Sequence, residues 1–163
     1  MRIVRTAHQL ALPALLTALL GATAAPAAPG GASRAEEAQP MQVAPTKVEA
    51  ESYLVEISAG SPARAGIAGS VRVSLTAKAG FHINDQYPYR FRASPPADGV
   101  SYPKPVLERA DGQYEEKTAV FQLPFVASHA GQFSVGGVLN LSVCSPTSCV
   151  VQKAPLSVTV SVL

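Results

Sequence analysis

Val71-Arg72-Val73-Ser74-Leu75-Thr76-Ala77-Lys78 alternates apolar with polar side chains at every step. A period of two is the mark of a strand with one face buried and one wet, because successive side chains leave an extended backbone on opposite sides. Two further rows read the same way: Ala119, Phe121, Leu123 and Phe125, and Leu156, Val158, Val160 and Val162. Weaker rows run through Tyr53-Val55-Ile57, Tyr89-Phe91 and Val138 to Val143. Between them lie turn signals: Gly60-Ser61-Pro62, Ser94-Pro95-Pro96, Pro103-Lys104-Pro105 and Asp111-Gly112. Gly136-Gly137 is expected to mark a bulge that shifts the strand phase before Val138.

No window shows helical periodicity. Seven or eight short strands with turns between them predict an all-β domain, an immunoglobulin-like antiparallel β-sandwich. The chain contains no Trp, and its two cysteines are close neighbours. The resemblance to antibody domains is therefore one of architecture only.

The N-terminus sets the compartment. Met1-Arg2-Ile3-Val4-Arg5 carries two positive charges and precedes an apolar run from Leu10 to Ala22. Ala22-Thr23-Ala24 fits a small-residue cleavage pattern, so residues 1–24 read as a signal peptide. The run is shorter than the roughly 20 residues that span a bilayer, and no stable membrane anchor is expected. Residues 25–48 are mostly Ala, Pro, Gly, Ser, Gln and Glu, a composition that cannot offset its ordering entropy, and read as a flexible spacer. Residues 49–163 form the expected β-sandwich domain. The protein is expected to be periplasmic or secreted, and a monomer. Without Arg2 and Arg5, the 13 basic side chains of the chain fall to 11, against 11 acidic ones. A neutral chain without a basic stripe points away from nucleic acid as a partner.

One segment carries chemistry: Val143-Cys144-Ser145-Pro146-Thr147-Ser148-Cys149-Val150. Pro146 within a Ser/Thr run is a turn signal, and flanking strands would make a hairpin with the cysteines facing each other at its mouth. Cross-strand neighbours there are within disulfide reach. Cys144 shares its side of the strand with Asn140 and Ser142, opposite Leu139, Leu141 and Val143, and is expected to point away from the core. Three roles are open for the pair. A structural staple suits an exported protein, but closing a six-residue loop is worth only about 2.2 kcal/mol in the chain-entropy model. Thiol–disulfide exchange suits an accessible turn with a resolving thiol beside it. Metal binding is short of ligands, since only His82 and His129 remain to complete a site. No cofactor is expected, and no arrangement for hydrolysis is evident.

Gly80-Phe81-His82-Ile83-Asn84-Asp85-Gln86-Tyr87-Pro88-Tyr89 lies between predicted strands and is both polar and aromatic. It is expected to fold over the cysteine hairpin and govern access to the sulfurs through His82, Asn84, Tyr87 and Tyr89. The plainer alternative is a packed loop whose His82 and Asn84 satisfy local backbone groups. His129 reads as a turn residue, and Glu115-Glu116-Lys117 as a solvated strand entrance.

Gly80-Phe81-His82-Ile83-Asn84, the following Tyr87-Pro88, and a late strand ending in Val143-Cys144 with Cys149 soon after resemble the N-terminal periplasmic domain of the thiol:disulfide interchange protein DsbD. The likeness covers residues 49–163. It implies an immunoglobulin-like sandwich with a redox-active pair near one end, under a cap loop around His82 to Tyr89. It further implies that Cys149 attacks the disulfide of a partner and Cys144 resolves the mixed disulfide. The partners implied are thioredoxin-fold periplasmic proteins and a membrane electron donor. Full-length members of that family continue into a transmembrane region and a thioredoxin-like domain, whereas this chain runs to Leu163. Its electron source is accordingly expected to be another polypeptide, or it has none. The aromatic cap pattern of the family is not closely reproduced.

Overall fold

The computed structural model describes residues 44–163. The signal peptide and nearly all of the spacer fall outside the described residues. Eleven strands follow in order: β1 (Lys47–Glu49), β2 (Tyr53–Ala59), β3 (Ala68–Ala77), β4 (His82–Ile83), β5 (Arg90–Ala93), β6 (Val100–Ser101), β7 (Val106–Glu108), β8 (Gln113–Tyr114), β9 (Thr118–Ala127), β10 (Gly131–Cys144) and β11 (Cys149–Val162). Among the described residues the only helical element is a 3-10 turn at Arg109–Asp111. Lys47 and Val48, assigned to the spacer on composition, belong to β1 and pair with Glu56 and Val55.

The strands form two antiparallel sheets. One has the order β1-β2-β3-β9-β6, with β8 also on β9; the other has the order β11-β10-β5-β7, with β4 also on β10. The protein is thus an all-β, immunoglobulin-like sandwich. The alternating rows supply its interior. Val71, Val73, Leu75 and Ala77 on β3 pack with Ala119, Phe121, Leu123 and Phe125 on β9. Leu139, Leu141 and Val143 on β10 and Leu156, Val160 and Val162 on β11 close the core from the other sheet.

The expected bulge at Gly136-Gly137 is absent. β10 and β11 pair without a slip from Gly131 opposite Val162 to Cys144 opposite Cys149, with Gly136 opposite Ser157 and Gly137 opposite Leu156. The glycines answer a different need. A Cβ on Gly136 would collide with the backbone carbonyl of Leu156, and one on Gly137 with that of Arg92. Here β10 is wedged between β11 and β5, and only a missing side chain lets three backbones come that close.

Candidate functional site

The long hairpin of β10 and β11 carries the cysteines to one end of the sandwich. Ser145-Pro146-Thr147-Ser148 makes the turn: the Ser145 N–H donates to the Ser148 carbonyl at 2.7 Å, and the Ser145 hydroxyl accepts from the Ser148 N–H at 3.1 Å. Cys144 and Cys149 face each other just inside it, with Cα atoms 4.0 Å apart, and are joined as a disulfide. Their backbone groups point away from each other, which makes them one of the close, non-hydrogen-bonded pairs of the ladder.

The two sulfur-bearing residues differ in environment. Cys149 is exposed on β11, while Cys144 retains 6% exposure on β10. Cys144 does lie off the core, on the side of Ser142 and away from Leu141 and Val143. That side is covered all the same, and Ser142 is wholly buried.

The covering comes from the aromatic segment, which reaches the cysteines as a neighbour in the sheet. β4 pairs with the end of β10, placing His82 opposite Cys144 and Ile83 opposite Val143. Cys149, Cys144 and His82 therefore form one row across β11, β10 and β4, with side chains on one face. His82 is exposed, whereas Ile83 enters the core. The chain then loops through Asn84 to Pro88 and rejoins β10 as β5, with Phe91 opposite Leu139.

That loop is held at several points. The Asn84 amide Nδ2 donates to Ser142 Oγ at 3.2 Å, and its Oδ1 accepts from the Gln86 N–H at 3.0 Å. Tyr89 is buried; its hydroxyl donates to the Ser142 carbonyl and accepts from the Asn84 N–H at 3.0 Å. Burial raises the Tyr89 pKa to about 12. Tyr87 is half-buried and meets the Tyr89 ring edge-on at 5.1 Å. Arg109, from the 3-10 turn, stacks its guanidinium 4.3 Å from the Tyr114 ring centre and 5.7 Å from that of Tyr89. It also donates to the carbonyls of Asn84 and Tyr87 at 3.5 Å. Burial raises the Tyr114 pKa as well. On the far side, the Ile83 N–H donates to the Glu116 carbonyl at 2.8 Å, and Lys117 Nζ donates to the Phe81 carbonyl. β4 is thereby tied to β10 on one side and to the β8–β9 turn of the other sheet on the other.

His82, Asn84 and Tyr89 are thus gathered around the Ser142–Cys144 end of β10, with Tyr87 against Tyr89. His129 lies elsewhere, in the turn between β9 and β10, against Phe133. Two supports escaped the sequence reading, Arg109 and Tyr114, while Ser142 was legible only as a neighbour of Cys144 on the polar side of its strand. Nothing local ties Arg109 to a loop some 20 residues before it. Among the described residues no group of three or more His, Cys, Asp or Glu side chains is placed to hold a metal. No helix among them is long and apolar enough to cross a membrane.

No family model matches the chain, and no curated protein matches it. Among solved structures it is similar to AggA, the major subunit of aggregative adherence fimbriae type I from Escherichia coli, at 9% identity and a TM-score of 0.34, over 71% of this chain and 98% of that one. So slight a likeness carries no argument, and the β-sandwich with its bridged cysteine pair rests on the structure itself.

Proposed function

We propose that this domain is a thiol–disulfide exchange module that passes reducing equivalents to a thioredoxin-fold partner through Cys144 and Cys149. The observation that carries the reading is the row Cys149–Cys144–His82, with the first cysteine exposed and the second buried. Exchange needs an attackable sulfur and a resolving thiol within its reach. A histidine opposite a cysteine provides a group that can accept its proton or, when charged, favour its thiolate.

The chemistry balances without a cofactor. The Cys149 thiolate attacks a disulfide of the partner, forming a mixed disulfide and expelling a partner thiolate, which takes up a proton. The Cys144 thiolate then attacks Cys149 Sγ, closing the intramolecular disulfide and releasing the second partner thiol. Two electrons leave the dithiol and two reach the partner. A second thiol protein, the electron donor, must return the pair to the dithiol by the reverse steps. Export, expected from residues 1–24, would put the domain where such partners work, and the resemblance to the DsbD N-terminal domain supports the same roles.

A second reading treats the bond as a hairpin staple in a non-catalytic exported sandwich that binds a protein or envelope component. The burial of Cys144 and the close strand pairing favour it. Redox titration in thiol buffers, followed by alkylation and mass measurement, decides between them. A potential above about −250 mV is expected for an exchanging pair; one below about −300 mV would mark a structural bond and end the exchange reading.

A further inference from the structure

The register of β10 and β11 fixes where backbone groups of the outer strand point. The Ser157 N–H donates to the Pro45 carbonyl, and the Ser161 carbonyl accepts from the Ala63 N–H, both away from β10. Odd-numbered residues of β11 therefore direct their N–H and C=O groups outward, and even-numbered ones inward to β10. The Ser157 N–H and the Ser161 carbonyl are thus taken. Pro155 has no N–H to offer. Cys149, Val151 and Lys153 form an unbroken run of outward groups before Pro155, and among the described residues no strand pairs with that side. Val151 is 57% exposed. The continuous open edge is therefore a short stretch that begins at the exposed cysteine and stops at a proline, and beyond it the edge is interrupted by the bonds to Pro45 and Ala63.

The chemistry points to the same side. Displacement at a sulfur of a disulfide runs in line, with the entering and leaving sulfurs on opposite sides of the one attacked. For Cys149 Sγ the intramolecular sulfur lies toward β10. The partner sulfur, whether entering or leaving, must lie on the other side, beyond β11. Behind Cys144 the approach is occupied by β4 and His82.

We infer that the open edge at Cys149, Val151 and Lys153 receives an extended segment of the thioredoxin-fold partner, which adds to the sheet as a strand while its sulfur is in line with Cys149. Main-chain hydrogen bonds from that edge hold the two sulfurs at reacting distance, a form of strand addition that requires no side-chain match. The inference rests on the exchange role proposed for Cys149.

The test uses the oxidised domain, a reduced thioredoxin as probe, and dithiothreitol as a small thiol that needs no docking. Val151→Pro removes one outward N–H and leaves every bond to β10 in place, as Pro155 already does further along. The expected result is a thioredoxin rate lowered about ten-fold, the worth of a lost hydrogen bond or two, with the dithiothreitol rate unchanged. Lys153→Pro, at the next outward position but one from Cys149, should act in the same direction and covers the case in which the first variant fails to fold. If both folded variants keep the wild-type thioredoxin rate, or lose both rates equally, the edge is not the docking site. A wild-type dimer that dissociates on either substitution would assign the edge to a second copy and likewise overturn it. If wild-type protein reacts with thioredoxin no faster than with dithiothreitol, the exchange role itself fails, an outcome separate from the others.

Discussion

Cys149 is exposed and Cys144 buried, and the difference sets what each serine variant should do. Cys144→Ser leaves the exposed thiol without its resolving neighbour, so a mixed disulfide with a thioredoxin lacking its own resolving cysteine should accumulate. Cys149→Ser should abolish it; equal trapping by both variants on a non-reducing gel would refute the assignment of roles. Tyr89 is a second residue with a calculable behaviour. Its hydroxyl ties Ser142 to Asn84, and Tyr89→Phe should cost about 1 kcal/mol in urea unfolding at pH 7, since the Asn84 N–H still reaches the Ser142 carbonyl at 3.3 Å. The phenol ionises near pH 10 in an unfolded chain and about 12 when folded, so its contribution is intact below pH 10 and is lost as pH rises through 12. Tyr89→Phe should flatten the alkaline loss of stability between about pH 10 and 12, and a slope equal to wild type would show that Tyr89 does not titrate there.

At the scale of the element, strand type was legible wherever one face was wet. β3, β9 and β11 read directly from alternation because their polar residues face water and their apolar ones the core. Short strands such as β4, β6 and β8 were not legible, since two or three residues hold no period. Their pairing is imposed by β9 and β10 from outside. The cysteine hairpin was legible from Pro146 and its serines, whereas the pairing of His82 with Cys144 depends on a register between strands some 60 residues apart. Gly136-Gly137 shows the ambiguity of glycine in a strand: a bulge and a tight approach look alike in sequence, and only the neighbours decide. Tight approach makes a clear forecast. Gly136→Ala and Gly137→Ala should each destabilise the domain by roughly 2–3 kcal/mol, because the obstacle is backbone and cannot rotate aside. Unfolding midpoints matching wild type would show that β10 has room to shift.

For the molecule as a whole, the core rests on apolar side chains from both sheets and leaves the cysteines out. Replacing both cysteines with alanine should therefore leave a folded protein with the same circular dichroism, less stable by about 2 kcal/mol, as expected for so small a loop. Loss of the fold would instead make the bond a keystone of the sandwich. The tie between β4 and the two sheets carries one more consequence, for how opening is distributed over the protein. The Ile83 amide is held by Glu116 in the β8–β9 turn, and the Asn84 amide by Tyr89 and by Ser142 of β10. Solvent can reach them only if the whole clasp lifts, a local fluctuation with its own free energy below that of global unfolding. Deuterium uptake at these two amides should quicken together when the neighbouring disulfide is reduced, while amides in the middle of β3 and β9 keep their pace.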